Sequence, residues 1–309
     1  MIDKDDKSTA RVSVVIATTA EKKRAGQINN AINSVLEQEG CNFNLIVVIN
    51  GSRFDSDVRS SIESNEQIQS HYLFEGNFPR ALVYARSIID SDYFCFLDDD
   101  DELLPGSLMS RFEALEVNLK ADVAVGNGLK KHNASLELET HTDILAYQDA
   151  PLDALFRQNG NWLASCAGLF RSSTIPQEYF DDYAVYAEWT YLAFKLTIYK
   201  EVIFVDKLCY RINVNTESLS HNEAYLLGQY SMAEKVLLLP LPRWAKKSFL
   251  IKRRDMEHDL TERYLSTKQT KKAWGYHFKS LGSRSTFIKY FLFTRYLVRY
   301  SIFPSKNKK

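Results

Sequence analysis

The sequence predicts an α/β fold, a mixed, mostly parallel sheet with a C-terminal helical appendage. Three observations predict it. Over the first two-thirds of the chain, short β-branched runs alternate with segments whose apolar residues recur at helical spacing, the pattern of parallel strands joined by helices. An aromatic run of strand length, Tyr93 to Leu97, ends in four consecutive carboxylates. From Ala224 onward the strand pattern gives way to helical segments rich in Lys and Arg. We therefore divide the chain into an α/β domain over 1–222 and a basic, amphipathic helical region over 223–309.

At 309 residues, of which 45% are hydrophobic, the chain can fill one large core and carry an appendage. Cys41, Cys95, Cys166 and Cys209 are scattered without a CxxC pair, which argues against a metal cluster or a disulfide framework and fits a reducing cytoplasm. The polar start of the chain and the lack of an apolar run of about 18 residues predict neither a signal peptide nor a membrane span. A formal net charge of zero conceals an asymmetry: residues 241–309 hold 18 Lys and Arg against 4 Asp and Glu, leaving 21 basic and 35 acidic residues before them. An acidic body with a basic end points to a polyanionic partner for that end.

The elements follow in order. Arg11 to Thr18, RVSVVIAT, is the first strand, and AGQINNAINSVLEQ is a helix with Ile28, Ala31, Ile32, Val35 and Leu36 on one face. Asn44 to Ile49 is the second strand, closed by the turn signal Asn50-Gly51-Ser52. Asn77 to Ile89 is a helical segment, and Tyr93 to Leu97 is a buried strand bounded by Gly and Pro on its far side. Ser107 to Leu119 is a helix, and Asp122 to Gly126 a further short strand. In a parallel sheet, ligands bind beyond the carboxyl ends of the strands, and Thr18, Asn50 and the aspartates all fall at such ends.

Asp98, Asp99, Asp100 and Asp101 are followed by Glu102. Like charges roughly 4 Å apart repel by about 4 kcal/mol at an effective dielectric of about 20, so such a cluster at a strand end calls for a cation. Mg²⁺ or Mn²⁺, hard ions that take oxygen ligands, suit it and would bring a phosphate-bearing substrate. The plainer alternative is a solvated loop or a helix start, where carboxylates are favoured in any case.

Phe96 to Pro105, FLDDDDELLP, resembles the FLDxDDxxxP signature of glycosyltransferase family 2, the inverting enzymes of the Rossmann-like, nucleotide-binding GT-A fold. The resemblance covers roughly residues 11 to 220. It implies a metal held mainly by Asp100, with Asp98 near the ribose and Asp99 beside them. Ser13 to Thr18 resembles the family's first strand, and VVINGS its second, with Ile49 where the family carries an acid that contacts the base; Asn50 then offers a donor and an acceptor to a base edge. NFPRALVYARSII resembles the segment beneath the donor diphosphate, making Arg80 and Arg86 candidates to face phosphate, Arg80 the better placed at the helix start. Asn161 to Arg171 resembles the acceptor-side strand, where Trp162 is a candidate either to stack on a sugar or to fill the core.

Tyr179 to Leu196 resembles the family helix that carries the general base. Anchored on Lys195 and Leu196, the alignment puts Trp189 in the base position; anchored on the tryptophan, it puts Glu188 there. We prefer Glu188, which keeps a carboxylate at the helix start, with Asp181 and Asp182 as fallback bases or helix-capping acids. CYRINVNTESLSH resembles the segment that closes over the diphosphate; Tyr210, Arg211, Ser218 and Ser220 match, Asn213 stands where a His is frequent, and His221 is a neighbouring substitute.

The helical region ends in STFIKYFLFTRYLVRYSIF, where Lys289, Arg295 and Arg299 interrupt an aromatic run. A spanning helix would bury those charges at a cost of a few kcal/mol each, so an interfacial helix on anionic headgroups is the better expectation. The resemblance thus implies a metal-dependent transfer of sugar from a nucleotide-sugar donor, a UDP-sugar foremost, to a glycan or lipid-linked acceptor, at the cytoplasmic face of a membrane. No nucleic-acid motif accompanies the charge. The competing readings are a catalytically silent relative acting as a nucleotide-sugar-binding or membrane scaffold protein, and a nucleotidyltransferase, whose glycine-rich phosphate loop is not apparent.

Overall fold

A computed structural model describes residues 11–132, 136–157, 160–214 and 223–302. They form two compact units, one holding the residues up to Val214 other than Ala184–Ala187, the other holding Ala184–Ala187 and the residues from Glu223 on.

The first unit is built on nine strands: β1 (Val12–Thr18), β2 (Phe43–Asn50), β3 (Ile68–Leu73), β4 (Tyr93–Asp98), β5 (Glu102–Leu103), β6 (Val123–His132), β7 (Leu136–Glu139), β8 (Gly168–Arg171) and β9 (Val202–Val214). Their order is β3-β2-β1-β4-β8-β6-β9-β5, with β7 on β6. The β3-β2-β1-β4 half is parallel, as is the long β6–β9 ladder, while β8, β7 and β5 run antiparallel to their neighbours. Every residue of β1 is buried, as expected where both faces of a parallel sheet are covered. Ser13 and Thr18 are its polar residues, and the Ser13 hydroxyl is bonded to Asn44 and Ser91 at 2.7 Å each.

Helices α1 (Ala25–Leu36), α2 (Ser56–Glu63), α3 (Phe78–Ile88) and α4 (Ser107–Val117) connect or flank these strands, with α5 (Pro151–Ala154), α6 (Glu178–Asp181) and α7 (Glu188–Tyr199) following. The stripe Ile28, Ala31, Ile32 and Val35 is the buried face of α1, in keeping with its 3.6-residue spacing. Asp55 and Asn77 cap α2 and α3 through their side-chain oxygens.

Several expectations are corrected here. The strand read at Asp122 to Gly126 continues to His132, because β9 runs beside it for its whole length. Of Asn161 to Arg171, only Gly168–Arg171 is strand. The helix read across Tyr179 to Leu196 is two helices, separated by a turn in which Tyr186 has φ 66°, a conformation that an L-residue cannot carry through a right-handed helix. Strand β3 and helix α2 had no distinct signal, since β3 is an edge strand with polar residues scattered along it.

The second unit contains α8 (Glu223–Leu238), α9 (Arg243–Ser266), α10 (Thr270–Ser280), α11 (Arg284–Tyr290) and α12 (Thr294–Ile302). Its core is Tyr230, Leu260, Tyr264, Ala273 and Leu297; each fully buried leucine contributes about 1.5–3 kcal/mol. The aromatic run expected as one interfacial helix is broken into α11, a 3-10 turn at Phe291–Phe293, and α12. No described helix is long and apolar enough to cross a membrane.

Candidate active site

Side chains two apart share one face of a strand, so Phe94, Phe96 and Asp98 point the same way from β4. On that face Phe94 stacks on Phe170 with centroids 5.2 Å apart, and Phe96 lies 5.5 Å from Trp189. The aromatic layer ends at Asp98, and the chain turns there: the Asp101 amide donates to the Asp98 carbonyl at 3.1 Å. This turn folds the acids back on one another. One carboxylate oxygen from each of Asp98, Asp100 and Asp101 lies within 4.8 Å of the others.

The loop is pinned from β9. Antiparallel pairing of Glu102 with Arg211 and of Leu103 with Tyr210 sets the register. Asn213 then donates its backbone amide to Asp101 Oδ1 at 3.1 Å, and its side-chain amide to the Asp100 carbonyl at 2.7 Å and to Glu102 Oε1 at 3.2 Å. Asn213, which stands where a histidine is frequent in the family, braces the acid loop here.

The electrostatics are those of crowded acids. Asp98 is half-buried, and the desolvation of its carboxyl pushes it up to about 7; a hydrogen bond from Ser165 opposes the rise, while repulsion from Asp100 and Asp99 adds to it. Burial likewise raises Asp101 well above the usual carboxylate range, with Asp98 and Asp100 adding repulsion. Three converging carboxylate oxygens fit a hard divalent cation, and Asp98, Asp100 and Asp101 would hold it.

Asp99 turns away from the triad, taking a 2.5 Å hydrogen bond from Thr18 and an ion pair from Arg24. Thr18 ends β1 and is buried, so Thr18 and Asp99 form one hydrogen-bonded unit. Asn50 ends β2, where its side-chain oxygen accepts from the Asn77 amide at 2.9 Å. Gly51 follows at φ 93°, and a Cβ there would lie 2.9 Å from the Gly76 Cα, a contact only glycine avoids. Ile49, standing where the family carries an acid, is wholly buried.

Arg80 sits in the first turn of α3, exposed and paired with Glu75. Arg211 lies between Glu102 at 3.0 Å and Glu137 at 2.9 Å. Arg86 corrects its candidacy: it donates to the carbonyls of Ile175 and Ser172 at 2.9 and 2.7 Å and covers the Phe94 ring, in a hollow shared with Arg11 and Asp92 beside the start of β4. Trp162 is fully buried with its indole N–H on the Pro151 carbonyl at 3.0 Å, so it belongs to the core and not to a sugar platform. Ser218, Ser220 and His221 lie outside the described residues.

Glu188 is the first residue of α7 and lines a small, mostly apolar hollow with Pro79, Leu82, Asp182, Tyr183 and Trp189. Its neighbour Trp189 packs on Phe96, two residues before Asp98, so the start of α7 and the triad's strand share a face of the sheet. Asp182 accepts from the Tyr191 hydroxyl at 2.6 Å. It stands with Asp181 at the end of α6, so neither caps the start of α7.

Four participants were given no role of their own by the sequence reading. Arg24 touches Asp99 and Asp100, Ser165 tempers the rise at Asp98, and Asp101 completes the triad. Arg111, buried inside α4, donates to the carbonyls of Cys166 and Ala167 at 2.9 and 3.1 Å and so holds the turn that presents Ser165. Only Asp101 had a signal, its place in the acid run.

A twisted, largely parallel sheet with carboxylates gathered at the carboxyl ends of its strands defines a nucleotide-binding type of α/β enzyme. The chain belongs to glycosyl transferase family 2, whose family model matches residues 13–174, and it is a glycosyltransferase of the GT-A fold. Its structure is similar to the crystal structure of S. aureus TarS 1–349, with a TM-score of 0.60 and 13% identity over 88% of this chain and 80% of that one. The same S. aureus protein in complex with UDP-GlcNAc gives a TM-score of 0.61 at 14% identity, over 88% and 80% of the two chains. In complex with UDP it gives 0.52 at 15%, over 83% and 72%. At such identities the likeness is one of fold. No curated protein matches the sequence.

Proposed function

We propose that this protein is a metal-dependent, inverting glycosyltransferase that moves a sugar from a nucleotide-sugar donor to a hydroxyl of a glycan or lipid-linked glycan, in cell-surface polysaccharide synthesis. The observation that carries the reading is the convergence of Asp98, Asp100 and Asp101 beyond β4, next to the ends of β1 and β2 where Thr18 and Asn50 sit. The UDP-GlcNAc and UDP in the similar TarS structures support a UDP-sugar as donor.

In this reading the glycosyltransferase domain is 1–222. Asp98, Asp100 and Asp101 hold Mn²⁺ or Mg²⁺, which when bound neutralises charge on the donor diphosphate and on the departing nucleotide. Thr18 and Asn50 line the base and ribose side, with Asp99 fixing Thr18. Arg80 and Arg211 lie toward the phosphates, where a guanidinium suits the anion. Glu188 accepts the proton of the acceptor hydroxyl, whose oxygen attacks the anomeric carbon from the face opposite the leaving nucleotide and inverts it.

The helical region, 223–309, is the address. Phe291, Leu292, Val298 and Ile302 line an apolar groove together with Arg295 and Arg299, and all six are exposed. Apolar residues interleaved with cations, in a region holding 18 basic and 4 acidic residues from 241 on, suit the inner, anionic face of a cell membrane without spanning it.

The deciding experiment titrates UDP in the presence and absence of Mn²⁺ and assays transfer across UDP-, GDP-, CDP- and dTDP-sugars. The expected result is metal-dependent UDP binding that Asp100→Ala weakens by roughly 100-fold or more, the scale of removing a charged ligand. Full activity in Asp100→Ala would refute the site. Binding without turnover for every donor would favour a silent scaffold, the reading that buried Ile49 also supports.

A further inference from the structure

Asp99 occupies the position that the FLDxDDxxxP signature leaves open, and the structure gives this additional acid a cation. Arg24 ends the 3-10 turn at Lys22–Arg24 that follows β1. Its guanidinium pairs with Asp99 and reaches Asp100 Oδ2 at 3.1 Å. Asp99 is also bonded to Thr18, so that carboxylate is engaged on both oxygens. Asp100 is the shared group: it belongs to the triad, and it faces Arg24. The Arg24 Nε is buried with no hydrogen-bond partner among the described residues, an unfavourable arrangement for a charged donor.

We infer that Arg24 is an internal counter-cation that competes with the divalent ion for Asp100, and that it turns its guanidinium to the donor's diphosphate once the ion is in place. The inference rests on the metal site proposed above. A guanidinium does not shed its proton at any physiological pH, so a dication approaching Asp100 meets a fixed positive charge, and the two repel across one carboxylate. Arg24 must release Asp100 or weaken the ion's hold. Phosphate oxygens offer what the site lacks, acceptors for Nε and for the donors released from Asp100, in the two-pronged geometry that guanidinium favours. Arg24 would thereby hold the acids together before the ion arrives and tie ion binding to nucleotide binding.

The test measures Mn²⁺ binding to the full chain by the electron paramagnetic resonance signal of the free ion, with and without UDP, so that activity is not the readout. Without nucleotide, Arg24→Gln is expected to bind Mn²⁺ about tenfold more tightly than the parent protein, because Asp100 is no longer claimed. With UDP the order reverses, and Arg24→Gln holds UDP with Mn²⁺ about tenfold more weakly. Arg24→Lys keeps the charge but not the fork: Mn²⁺ alone binds within about twofold of the parent, and UDP with Mn²⁺ more weakly. Equal or weaker Mn²⁺ binding by Arg24→Gln overturns the inference and leaves the metal site standing. Should Arg24→Gln not fold, unimpaired UDP binding by Arg24→Lys overturns it. If no folded variant binds Mn²⁺ even with UDP, the metal site itself fails and takes the inference with it.

Discussion

Arg111 illustrates how much a single side chain can organise without touching a substrate. It is wholly buried, and besides the carbonyls of Cys166 and Ala167 it bonds both the backbone oxygen and the hydroxyl of Ser107, at 3.1 and 2.7 Å. Arg111→Met would leave two loop carbonyls and a hydroxyl without that donor. A loss of about 3–5 kcal/mol of stability is expected, measured by urea unfolding, and Arg111→Lys restores less than half because one ammonium cannot span the same acceptors. A loss below about 1 kcal/mol would show that water replaces the guanidinium. In the sequence, SLMSRFEAL reads as a helix with a surface arginine, and nothing local marks this residue as interior. Trp162 is the converse: an aromatic in a stretch resembling an acceptor strand invites a sugar platform, and only its zero exposure and its bond to Pro151 place it in the core.

At the scale of elements, the site depends on one short pairing and one interrupted helix. Strand β5 has two residues, yet through β9 it lines up Glu102 with Arg211 and sets Asn213 against Asp100 and Asp101. Asn213→Ala removes the two side-chain bonds and keeps the backbone one. We expect a cost of about 1–2 kcal/mol, with UDP affinity in Mn²⁺ falling about tenfold; unchanged affinity would mean that the β5–β9 pairing suffices. The interruption before α7 decides where Glu188 stands, as the opening residue of a helix and not a point midway along one. Glu188→Gln is predicted to leave UDP binding within about twofold and to lower transfer by roughly 10²–10⁴-fold, the range for losing a general base. Near-normal transfer would move the role to another acid, with Asp182 next in the same hollow.

At the scale of the whole molecule, the proposed function assigns the acidic part of the chain to catalysis and the basic part to a membrane address. Each Lys or Arg near an anionic surface contributes about 1 kcal/mol, and Arg295 and Arg299 border the apolar groove of α12. The double variant Arg295→Glu with Arg299→Glu is therefore expected to bind phosphatidylserine-containing vesicles at least roughly thirtyfold more weakly in a sedimentation assay, while UDP binding stays as in the parent. Undiminished sedimentation would count against a membrane role for this groove.

What the sequence determined by itself was whatever is encoded locally. Apolar runs of strand length gave β1, β2 and β4; the 3.6-residue stripe gave α1; the acid run and its signature gave the family and the place of Asp98 to Asp101. Periodicity and capping act over a few residues, so they can be read from a few residues. What only the tertiary structure decided was every pairing between distant segments: Arg24 with Asp99 and Asp100, Asn213 with the acid loop, Arg111 with the turn before β8, and the inward course of Trp162. Charge and hydrogen-bonding capacity are properties of a residue, but whether a partner meets them depends on strand order and register, which no short stretch of chain contains.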